Sequence, residues 1–332
     1  MTIWTADGLL ELVRGYQRAA VLAAAADLEL FTVLAAEPLT AAMLARKLDC
    51  DPRGLTILLD ALAGLQLLVK EDGRYSLPPG AEALLTATGS NSILAMAQHQ
   101  ANCFRRWSEL ARVVKTGKPA KRKPSVRGAA GDQEAFIGAM HNVSAPVADQ
   151  VIQAIKPLEF HHLLDVGGAS GTWTLAFLRA CPSATTTLFD LADVLPMARR
   201  RLTEAGMAEG VTLVAGDFMA NPLPAGADLA WVSAIVHQNS REQNRQLFAK
   251  VFQALQPAGR IAIRDILMDA TRTRPAAGAL FAVNMLVATA GGGTFTFEEL
   301  REDLEAGGFV RPTVVRRDEG MNSIVVAEKP AG

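Results

Sequence analysis

The feature that most constrains the fold is an apolar run that ends in an acid and a cluster of glycines, LLDVGGASG at residues 163–171. After this run, apolar residues recur at helix spacing, beginning at Leu175. A buried strand that turns through glycines into a helix is the arrangement in which parallel sheets bind nucleotides. Glycines permit a tight turn and let a ligand approach the main chain, because no Cβ intervenes. The run therefore predicts a nucleotide site at a strand end, and a tight structural turn is the alternative.

The spacing of the glycines distinguishes between two kinds of nucleotide. A dinucleotide fingerprint, G-x-G-x-x-G, is matched at Gly168 and Gly171, but its leading position is occupied by Val166. A second frame, acid-x-G-x-G-x-G, fits with Asp165 leading, Gly167 in place and an alanine at the middle glycine. The second frame is similar to that of methyltransferases that use S-adenosylmethionine (SAM).

Each of the next two predicted strands also ends in an acid. The first leads to Asp190 and Leu191, about 20 residues after the glycines, where a ribose hydroxyl requires a carboxylate acceptor. The second leads to Gly216, Asp217 and Phe218, where a carboxylate would accept from an adenine amino group and the phenyl ring would lie against the base. We therefore predict a nucleoside across three neighbouring strand ends. The structural alternatives are a strand-end cap for Asp190 and a helix N-cap for Asp217.

Strands and helices alternate through the second half of the chain, which predicts a doubly wound parallel sheet of the α/β class. The predicted parallel strands are residues 162–166, 185–189, 211–214, 228–232 and 260–264. Two further strands, 311–315 and 323–327, flank a turn at residues 318–320 and predict an antiparallel C-terminal hairpin. A Rossmann-like methyltransferase sheet carries an antiparallel edge of this kind.

Nearly the full length of the chain resembles the family-2 small-molecule O-methyltransferases, which include plant phenolic enzymes and bacterial natural-product enzymes. The motifs that carry the resemblance are Asp165–Gly171, Phe189–Leu191, Gly216–Phe218, His237 and Leu255–Arg260. The resemblance implies SAM as the cofactor and an oxygen of an aromatic or polyketide-like small molecule as the methyl acceptor. Methylation of carbon or nitrogen, and a non-methylating reaction such as decarboxylation, hydroxylation or rearrangement on the same fold, are the alternatives.

The resemblance assigns the catalytic roles to His237 and Asp265. A phenol, with an ordinary pKa of about 10, is mostly neutral near pH 7, so a positioned base assists transfer. The histidine at this position is the general base in the family, and an acid after the fifth parallel strand orients it. The chain departs from the family where Gln238 and Asn239 replace Asp-Trp, and where Thr294 stands in place of a second acid. A histidine bonded to a backbone carbonyl is the structural alternative.

The resemblance also implies two sets of binding residues. The cofactor set is Gly167, Gly168, Gly171, Asp190, Leu191, Gly216, Asp217, Phe218 and Ser233. The substrate set is Asn284, Met285, Met140 and Trp107, with Phe281 as a further candidate. Aromatic and methionine side chains at helical spacing also occur commonly in ordinary cores. No cysteine and histidine cluster has metal-ligand spacing, so we predict no metal site.

The first part of the chain has the pattern of a winged helix. Residues 9–34 predict two helices, Thr40 and Asp51 begin two more, and strands 67–70 and 74–77 flank a hairpin turn. A DNA-reading helix requires outward basic side chains, which are sparse here, so a DNA-binding regulator is disfavoured. The resemblance implies instead a mostly helical dimerisation domain at residues 1–120, followed by the SAM-binding domain at residues 121–332. The expected assembly is a homodimer through the N-terminal domain.

Composition agrees with a globular enzyme. The formal net charge of −1 gives no electrostatic basis for binding nucleic acid or an anionic membrane. Three scattered cysteines and an N-terminus without a basic leader predict a cytoplasmic protein without disulfides. The stretch 275–297 carries no charge, but its alanines, glycines and Asn284 predict a buried helix rather than a membrane span.

Overall fold

The computed structural model describes residues 4–156 and 159–332, and the chain divides into two compact units. The first unit contains the residues up to Arg105 together with Arg122–Asn142, and the second contains Arg106–Lys121 and Val143–Gly332. Each unit therefore consists of two separate stretches of the chain, whereas the sequence predicted a single boundary after residue 120. That domain boundary stays a prediction. The first three residues, which belong to the stretch predicted to lack a leader, lie outside the described residues.

The first unit is mostly helical. Its elements are α1 (Ala6–Arg14), α2 (Tyr16–Asp27), α3 (Leu30–Leu34), β1 (Leu39–Thr40), α4 (Ala41–Lys47), α5 (Pro52–Gly64), β2 (Val69–Glu71), β3 (Arg74–Ser76), α6 (Ala81–Leu85), most of α7 (Leu94–Trp107) and the first part of the helix Gly128–Ala154. The Thr40 side chain accepts a hydrogen bond from the Met43 N–H, which confirms the predicted N-cap of α4. The prediction of two helices over residues 9–34 was wrong, because the helical run is interrupted at Gly15 and at Leu28 and Glu29.

The winged-helix pattern is confirmed in this unit. The strands form an antiparallel sheet in the order β1-β3-β2, and Asp72 and Gly73 make the β2–β3 turn with positive φ angles. Helices α4 and α5 precede the hairpin. Leu44, Leu59 and Leu62 from these helices are fully buried in the unit's apolar cluster.

Two helix predictions require correction. Residues 93–114 were predicted as one helix, but α7 ends at Trp107 and α8 (Leu110–Thr116) begins after a two-residue break. Residues 133–141 and 146–155 were predicted as separate helices, but α9 (Gly128–Ala154) is continuous through Pro146. A proline removes one backbone N–H and crowds the carbonyl four residues earlier, but the helical turns on both sides of Pro146 continue the helix.

The second unit contains a seven-stranded sheet in the order β11-β12-β8-β7-β4-β5-β6. Its elements, besides α8 and the end of α9, are β4 (His162–Val166), α10 (Thr172–Ala180), β5 (Thr185–Asp190), α11 (Leu195–Glu204), β6 (Val211–Ala215), β7 (Ala227–Ser233), α12 (Arg241–Ala254), β8 (Leu255–Asp265), β9 (Leu267–Met268), α13 (Ala276–Ala288), β10 (Phe295–Thr296), α14 (Phe297–Ala306), β11 (Val310–Arg316) and β12 (Ser323–Glu328). All pairs from β6 to β8 are parallel, and β12 is antiparallel to both β8 and β11. The predicted doubly wound α/β sheet with an antiparallel hairpin is therefore confirmed.

Successive apolar side chains of the central strands point to opposite faces of the sheet and form an apolar layer on each face. On β7, Leu229 and Trp231 belong to one buried cluster, and Ala230 and Val232 belong to another. Side chains of successive strand residues point to opposite faces, so a strand that is covered on both sides is apolar throughout.

The strand order reverses direction beside β4. The chain proceeds from β4 outward to β5 and β6, and then crosses to β7 and β8 on the other side. A crevice outside the carboxyl ends of the strands opens at such a reversal, and it is where open α/β sheets bind their ligands. The residues that follow β4, β5, β7 and β8 therefore meet at the predicted site.

The uncharged stretch at residues 275–297 forms α13, which has 13 residues, and the short strand β10. Over the described ranges, none of the helices combines the length and the apolar character that crossing a bilayer requires.

Candidate active site

The glycine turn is held directly by the neighbouring strand. The N–H of Gly167 donates to the carbonyl oxygen of Phe189 at 2.8 Å, and the N–H of Ala169 donates to Asp190 Oδ2 at the same distance. Both Gly167 and Gly171 have positive φ angles, 67° and 75°. The predicted glycines and the predicted ribose acid therefore form one hydrogen-bonded unit at the ends of β4 and β5.

Position 168 has room only for glycine, because two neighbouring side chains approach its backbone closely. A Cβ at this position would lie 2.6 Å from Leu188 Cγ and 2.9 Å from Asp165 Oδ2, and both neighbours are buried. These separations are far below normal carbon contacts of about 3.5–4.0 Å. Any side chain here would displace β5 or the buried acid from the turn.

Asp190 retains capacity to bind a ligand. Each of its oxygens accepts one backbone N–H, Oδ2 from Ala169 and Oδ1 from Leu191, at 2.8 and 2.7 Å. A carboxylate has about four lone-pair positions, so acceptor positions are left for the two hydroxyls of a ribose. Burial raises the pKa of the Asp190 carboxyl, and the two backbone donors oppose that rise. Leu191 itself is exposed.

The loop after β6 closes on the glycine turn. The N–H of Gly216 donates to the Asp190 carbonyl at 2.9 Å, which joins the third strand end to the second. The Phe218 ring edge lies 3.7 Å from the position that a Cβ on Gly167 would occupy. Asp217 is exposed, and its Oδ1 accepts the Met219 N–H at 2.8 Å. The three predicted strand ends are therefore brought together.

Asp165, the acid that leads the glycine frame, is a buried supporting group. It is 1% exposed, and the Thr174 hydroxyl donates to its Oδ2 at 2.6 Å. Burial raises the pKa of Asp165 from 3.8 to about 7, with a smaller contribution from the charge of Asp190. The carboxyl therefore anchors the start of α10 beneath the turn in a largely desolvated place.

Ser233 lies at the end of β7 and is bonded to a buried arginine. Its Oγ accepts from Arg264 Nη1 at 3.1 Å. The Arg264 guanidinium also donates to Asn322 Oδ1 through Nε and Nη2, and it lies 4.4 Å from the centre of the Trp173 ring. Burial lowers the pKa of Arg264 to about 10, and the charges of Asp265 and Asp318 oppose that fall.

The predicted catalytic pair is in direct contact. His237 lies in a 3-10 turn, Val236–Gln238, after β7, and its Nδ1 is 2.9 Å from both oxygens of Asp265. The carboxylate also accepts the backbone N–H groups of His237 and Ile266, at 3.3 and 2.8 Å. Both side chains are buried, with 8% and 3% of their surface exposed.

The tautomer of His237 follows from its partner. An ionised carboxylate only accepts hydrogen bonds, so the proton of a neutral imidazole lies on Nδ1 and the lone pair on Nε2. Within residues 4–156 and 159–332, Nε2 makes no hydrogen bond. The Phe281 ring packs edge-on against the imidazole, with ring centres 4.8 Å apart.

The residues that depart from the family pattern have local structural contacts. Gln238 Nε2 donates to the Ala234 carbonyl at 2.9 Å, and the buried Asn239 Nδ2 donates to Asn244 Oδ1 at 3.1 Å. Thr294 is buried, and its hydroxyl donates to the Gly278 carbonyl at 3.4 Å. Asp265 is therefore the acid that is bonded to His237 in the described part of the chain.

The glycine loop 291–293 packs against the backbone of His237. The Gly293 N–H donates to the His237 carbonyl at 2.9 Å. A Cβ on Gly292 would lie 2.5 Å from that same carbonyl oxygen. The loop that carries Thr294 is thereby fixed beside the histidine by main-chain contacts that a larger residue would prevent.

The predicted substrate residues lie in different places. Trp107 Nε1 donates to Asn284 Oδ1 at 2.9 Å, so these two residues are in contact. Met285 is buried, at 6% exposed, on the same helix, α13. Met140 belongs to the first compact unit, and its contact with the substrate stays a prediction.

Sequence reasoning did not assign Arg264 a role. The available signal was an arginine within an apolar strand, IAIRDIL at residues 261–267, because a charge is costly to bury unless it is paired. Phe281 was only a further candidate, and it proves to contact the imidazole.

The donor and acceptor set fits a SAM nucleoside. Two carboxylates and an aromatic ring lie at adjacent strand ends, Asp190 has free acceptor capacity, and the glycine turn supplies close backbone. In the parts of the chain that the structure describes, histidine, cysteine and acidic residues form no group of three that could hold a metal ion.

Comparison with known proteins agrees with this geometry. Sequence profiles of the O-methyltransferase domain and the O-methyltransferase dimerisation domain match residues 107–310 and 10–87. The chain is 31% identical to the tetracenomycin polyketide synthesis 8-O-methyl transferase TcmO of Streptomyces glaucescens, over 97% of this chain and 96% of that protein. It is 30% identical to the 3-hydroxy-5-methyl-1-naphthoate 3-O-methyltransferase of Streptomyces sahachiroi, over 97% and 94%. The fold matches human N-acetylserotonin methyltransferase, solved in complex with SAM, with a TM-score of 0.80 and 24% identity over 99% of both chains.

The chain therefore belongs to the O-methyltransferase family, of the type that includes bacterial natural-product enzymes. The predicted SAM-dependent methyltransferase activity is confirmed at the level of the family, and with it the predicted cofactor. The roles of individual site residues are a matter for proposal.

The buried Asp165 predicts a pH-dependent stability. Between about pH 4 and about pH 7 the unfolded chain loses this proton while the folded chain keeps it, so stability falls as pH rises. A pKa rise from 3.8 to about 7 corresponds to about 4 kcal/mol, which Asp165→Asn removes. The Tm of Asp165→Asn minus that of the native chain should therefore increase between about pH 5 and about pH 8. An equal difference at both pH values would contradict the buried, protonated state.

Proposed function

We propose that this protein transfers a methyl group from SAM to a hydroxyl oxygen of an aromatic, polyketide-like small molecule, with His237 as the general base. The observation that carries the proposal is the buried contact of His237 Nδ1 with Asp265, which leaves Nε2 without a hydrogen bond to any of the described residues. A base must lie within hydrogen-bond reach of the proton that it removes, and a carboxylate behind the ring holds it in the required tautomer.

The proposed cofactor contacts follow the strand ends. SAM, when bound, supplies an electrophilic methyl group on a sulfonium centre. Asp190 would accept from the ribose hydroxyls, and Asp217 and Phe218 would hold the adenine. The glycine turn would hold the remainder of the cofactor together with Ser233, whose oxygen accepts from Arg264.

The proposed base acts through Nε2. It accepts the hydroxyl proton of the methyl acceptor as the oxygen attacks, and the resulting imidazolium is stabilised by Asp265 through Nδ1. The oxygens of Asp265 also accept two backbone N–H groups, which hold the carboxylate in place behind the ring. Burial of the pair excludes water, which strengthens this electrostatic stabilisation.

The acceptor class is supported by two independent features. The Phe281 ring packs at the imidazole, so the space beside the base has an apolar wall that suits a flat aromatic ring. Of three relatives at 30% identity or above, two carry names of a polyketide enzyme and a hydroxynaphthoate enzyme, and the third is a demethylspheroidene O-methyltransferase. Methylation of nitrogen has weaker support, from a relative named as an N,N-dimethyltransferase that is 27% identical over 98% of this chain.

The working unit is proposed to be a homodimer formed through the N-terminal unit. The dimerisation profile covers residues 10–87. Helix α1 has no buried residue, and its apolar side chains Leu9, Leu12 and Val13 are 47%, 65% and 70% exposed. With Tyr16 they form a stripe at helix spacing, which a second copy would remove from water.

Removal of the ribose acid should weaken cofactor binding. Asp190→Ala removes the acceptors for the ribose hydroxyls and for the Ala169 N–H, so the Kd for SAM should rise at least tenfold. Isothermal titration of the folded variant measures the change. Glu209→Ala, at an exposed acid before β6, is the control and should retain native affinity. Unchanged affinity in Asp190→Ala would remove this residue from the cofactor site.

Loss of the base should affect turnover rather than cofactor binding. His237→Ala should lower kcat by about 10²–10⁴-fold, the usual range for a general base, with the Kd for SAM nearly unchanged. The measurement is transfer of labelled methyl from SAM to hydroxylated naphthalenes and anthraquinones. His161→Ala, which alters an exposed histidine at the opposite end of β4, should retain activity. Native turnover in His237→Ala would exclude the proposed base.

Charge on α1 should separate the dimer. Leu12→Glu with Val13→Glu places two carboxylates on the exposed apolar stripe, where burial in an interface would be costly. Sedimentation velocity should show monomers where the native chain is dimeric, while circular dichroism remains native. Asp7→Ala with Glu11→Ala, two charged positions on the same helix, is the matched control and should remain dimeric. A persistent dimer in the glutamate variant would exclude α1 from the interface.

A further inference from the structure

We propose that Arg264 is the buried counter-charge for the carboxylate of the methionine part of SAM, and that it acts on this carboxylate through the Ser233 hydroxyl. The inference rests on the proposed function, in which Ser233 holds the part of the cofactor beyond the nucleoside. It adds to that site a positioning residue that the sequence did not indicate.

Arg264 is a buried cation that lacks an anionic partner in the described part of the chain. Only 3% of its surface is exposed, and it forms no ion pair with the described carboxylates. The charges of Asp265 and Asp318 act on it from beyond ion-pair distance, and burial lowers its pKa only to about 10, so the guanidinium is charged near neutral pH. A buried charge is costly unless it is paired. An anionic ligand group beside Arg264 would offset this cost.

The groups that hold Arg264 in place are all neutral. Nε and Nη2 donate to Asn322 Oδ1 at 2.9 and 2.7 Å, and Nη1 donates to Ser233 Oγ at 3.1 Å. The face of the Trp173 ring lies 4.4 Å from the guanidinium carbon, measured to the ring centre. These contacts fix the orientation of the guanidinium, but they do not neutralise its charge.

The contact with Arg264 determines what the Ser233 hydroxyl can do. A guanidinium only donates, so Ser233 Oγ accepts from it, and the hydroxyl proton of Ser233 is directed elsewhere. Within residues 4–156 and 159–332, this hydroxyl donates to no other residue. Two successive donors therefore lead away from the buried cation and end on a hydrogen that requires an acceptor. A carboxylate only accepts, and hydrogen bonds to an ionised group are the stronger ones.

The elements that meet at Arg264 border the crevice at the strand-order reversal. Ser233 and Arg264 lie opposite each other at the carboxyl ends of β7 and β8. Trp173 is the second residue of α10, which begins directly after the glycine turn. The reversal lies between β4 and β7, where open α/β sheets bind their ligands. The α-carboxylate is the anionic group of SAM, and neither the adenine nor the ribose carries a negative charge, so the buried cation complements the methionine part.

The test compares S-adenosylhomocysteine with its decarboxylated analogue, because these two ligands differ only in the carboxylate. Isothermal titration should show that the native protein binds S-adenosylhomocysteine at least tenfold more tightly than the analogue. Arg264→Gln removes the charge but keeps an N–H donor, so it should reduce this preference about tenfold. The loss should come from weaker binding of S-adenosylhomocysteine, with the Kd for the analogue near its native value. Arg264→Lys keeps the charge and should retain most of the preference.

Two further variants separate the charge from a purely structural role. Arg260→Gln removes a guanidinium at the other end of β8, where Nη2 donates to the Glu159 carbonyl, and it should keep the native preference. Ser233→Ala should reduce the preference as Arg264→Gln does. The two substitutions combined should lose no more than the larger single loss, because the two residues act in series.

The outcomes distinguish this inference from the proposed function. Equal weakening of both ligands in folded Arg264→Gln, or additive losses in the combined variant, would overturn the role of Arg264. A native protein that binds both ligands equally would also overturn it, and that comparison needs no variant. Each of these results leaves the proposed methyl transfer intact. A native protein that binds neither ligand would overturn the proposed function and this inference together.

Discussion

The interaction on which the site depends is the buried hydrogen-bonded pair of His237 and Asp265. These residues follow adjacent parallel strands, β7 and β8, so their contact requires the register of that pairing, in which Ser233 lies opposite Arg264. A shift of one residue would exchange Arg264 and Asp265 between the faces of the sheet. The position of the proposed base is therefore a consequence of strand register, which the apolar layers on both faces specify.

The cofactor side depends on the same sheet in a different way. The glycine turn, Asp190 and Gly216 are joined by hydrogen bonds between consecutive strand ends, and not by side chains of one loop. This arrangement lies on one side of the strand-order reversal, and the histidine lies on the other. The crevice at the reversal thus brings a proposed nucleoside site and a proposed base together, because the chain leaves β4 in one direction and returns in the other.

Much of this fold could be predicted from the sequence because its signals are local. Each parallel strand is an apolar run, and the acids and glycines mark its carboxyl end, so strand positions and the strand-end residues followed directly. The helix break after Trp107 has no proline or glycine to signal it, and Pro146 gave a signal that the intact α9 overrides. Long-range pairs were beyond prediction: Trp107 and Asn284 are 177 residues apart, and Arg264 and Asn322 are 58 apart. Such contacts depend on packing that no single stretch encodes.

Among the described residues Asp265 is the acid bonded to His237, where the family pattern has two acids, and this agrees with the charge balance of the proposed reaction. Proton transfer to the imidazole creates one positive charge, and the Asp265 carboxylate compensates it within the buried pair. A second carboxylate at the position of Thr294 would be buried whether or not the imidazole is protonated. The transfer of one proton creates only one positive charge for it to compensate. Thr294 instead donates its hydroxyl to the Gly278 carbonyl, so the place is filled by a neutral, hydrogen-bonded group. The substitution therefore removes a buried charge without leaving the imidazolium uncompensated.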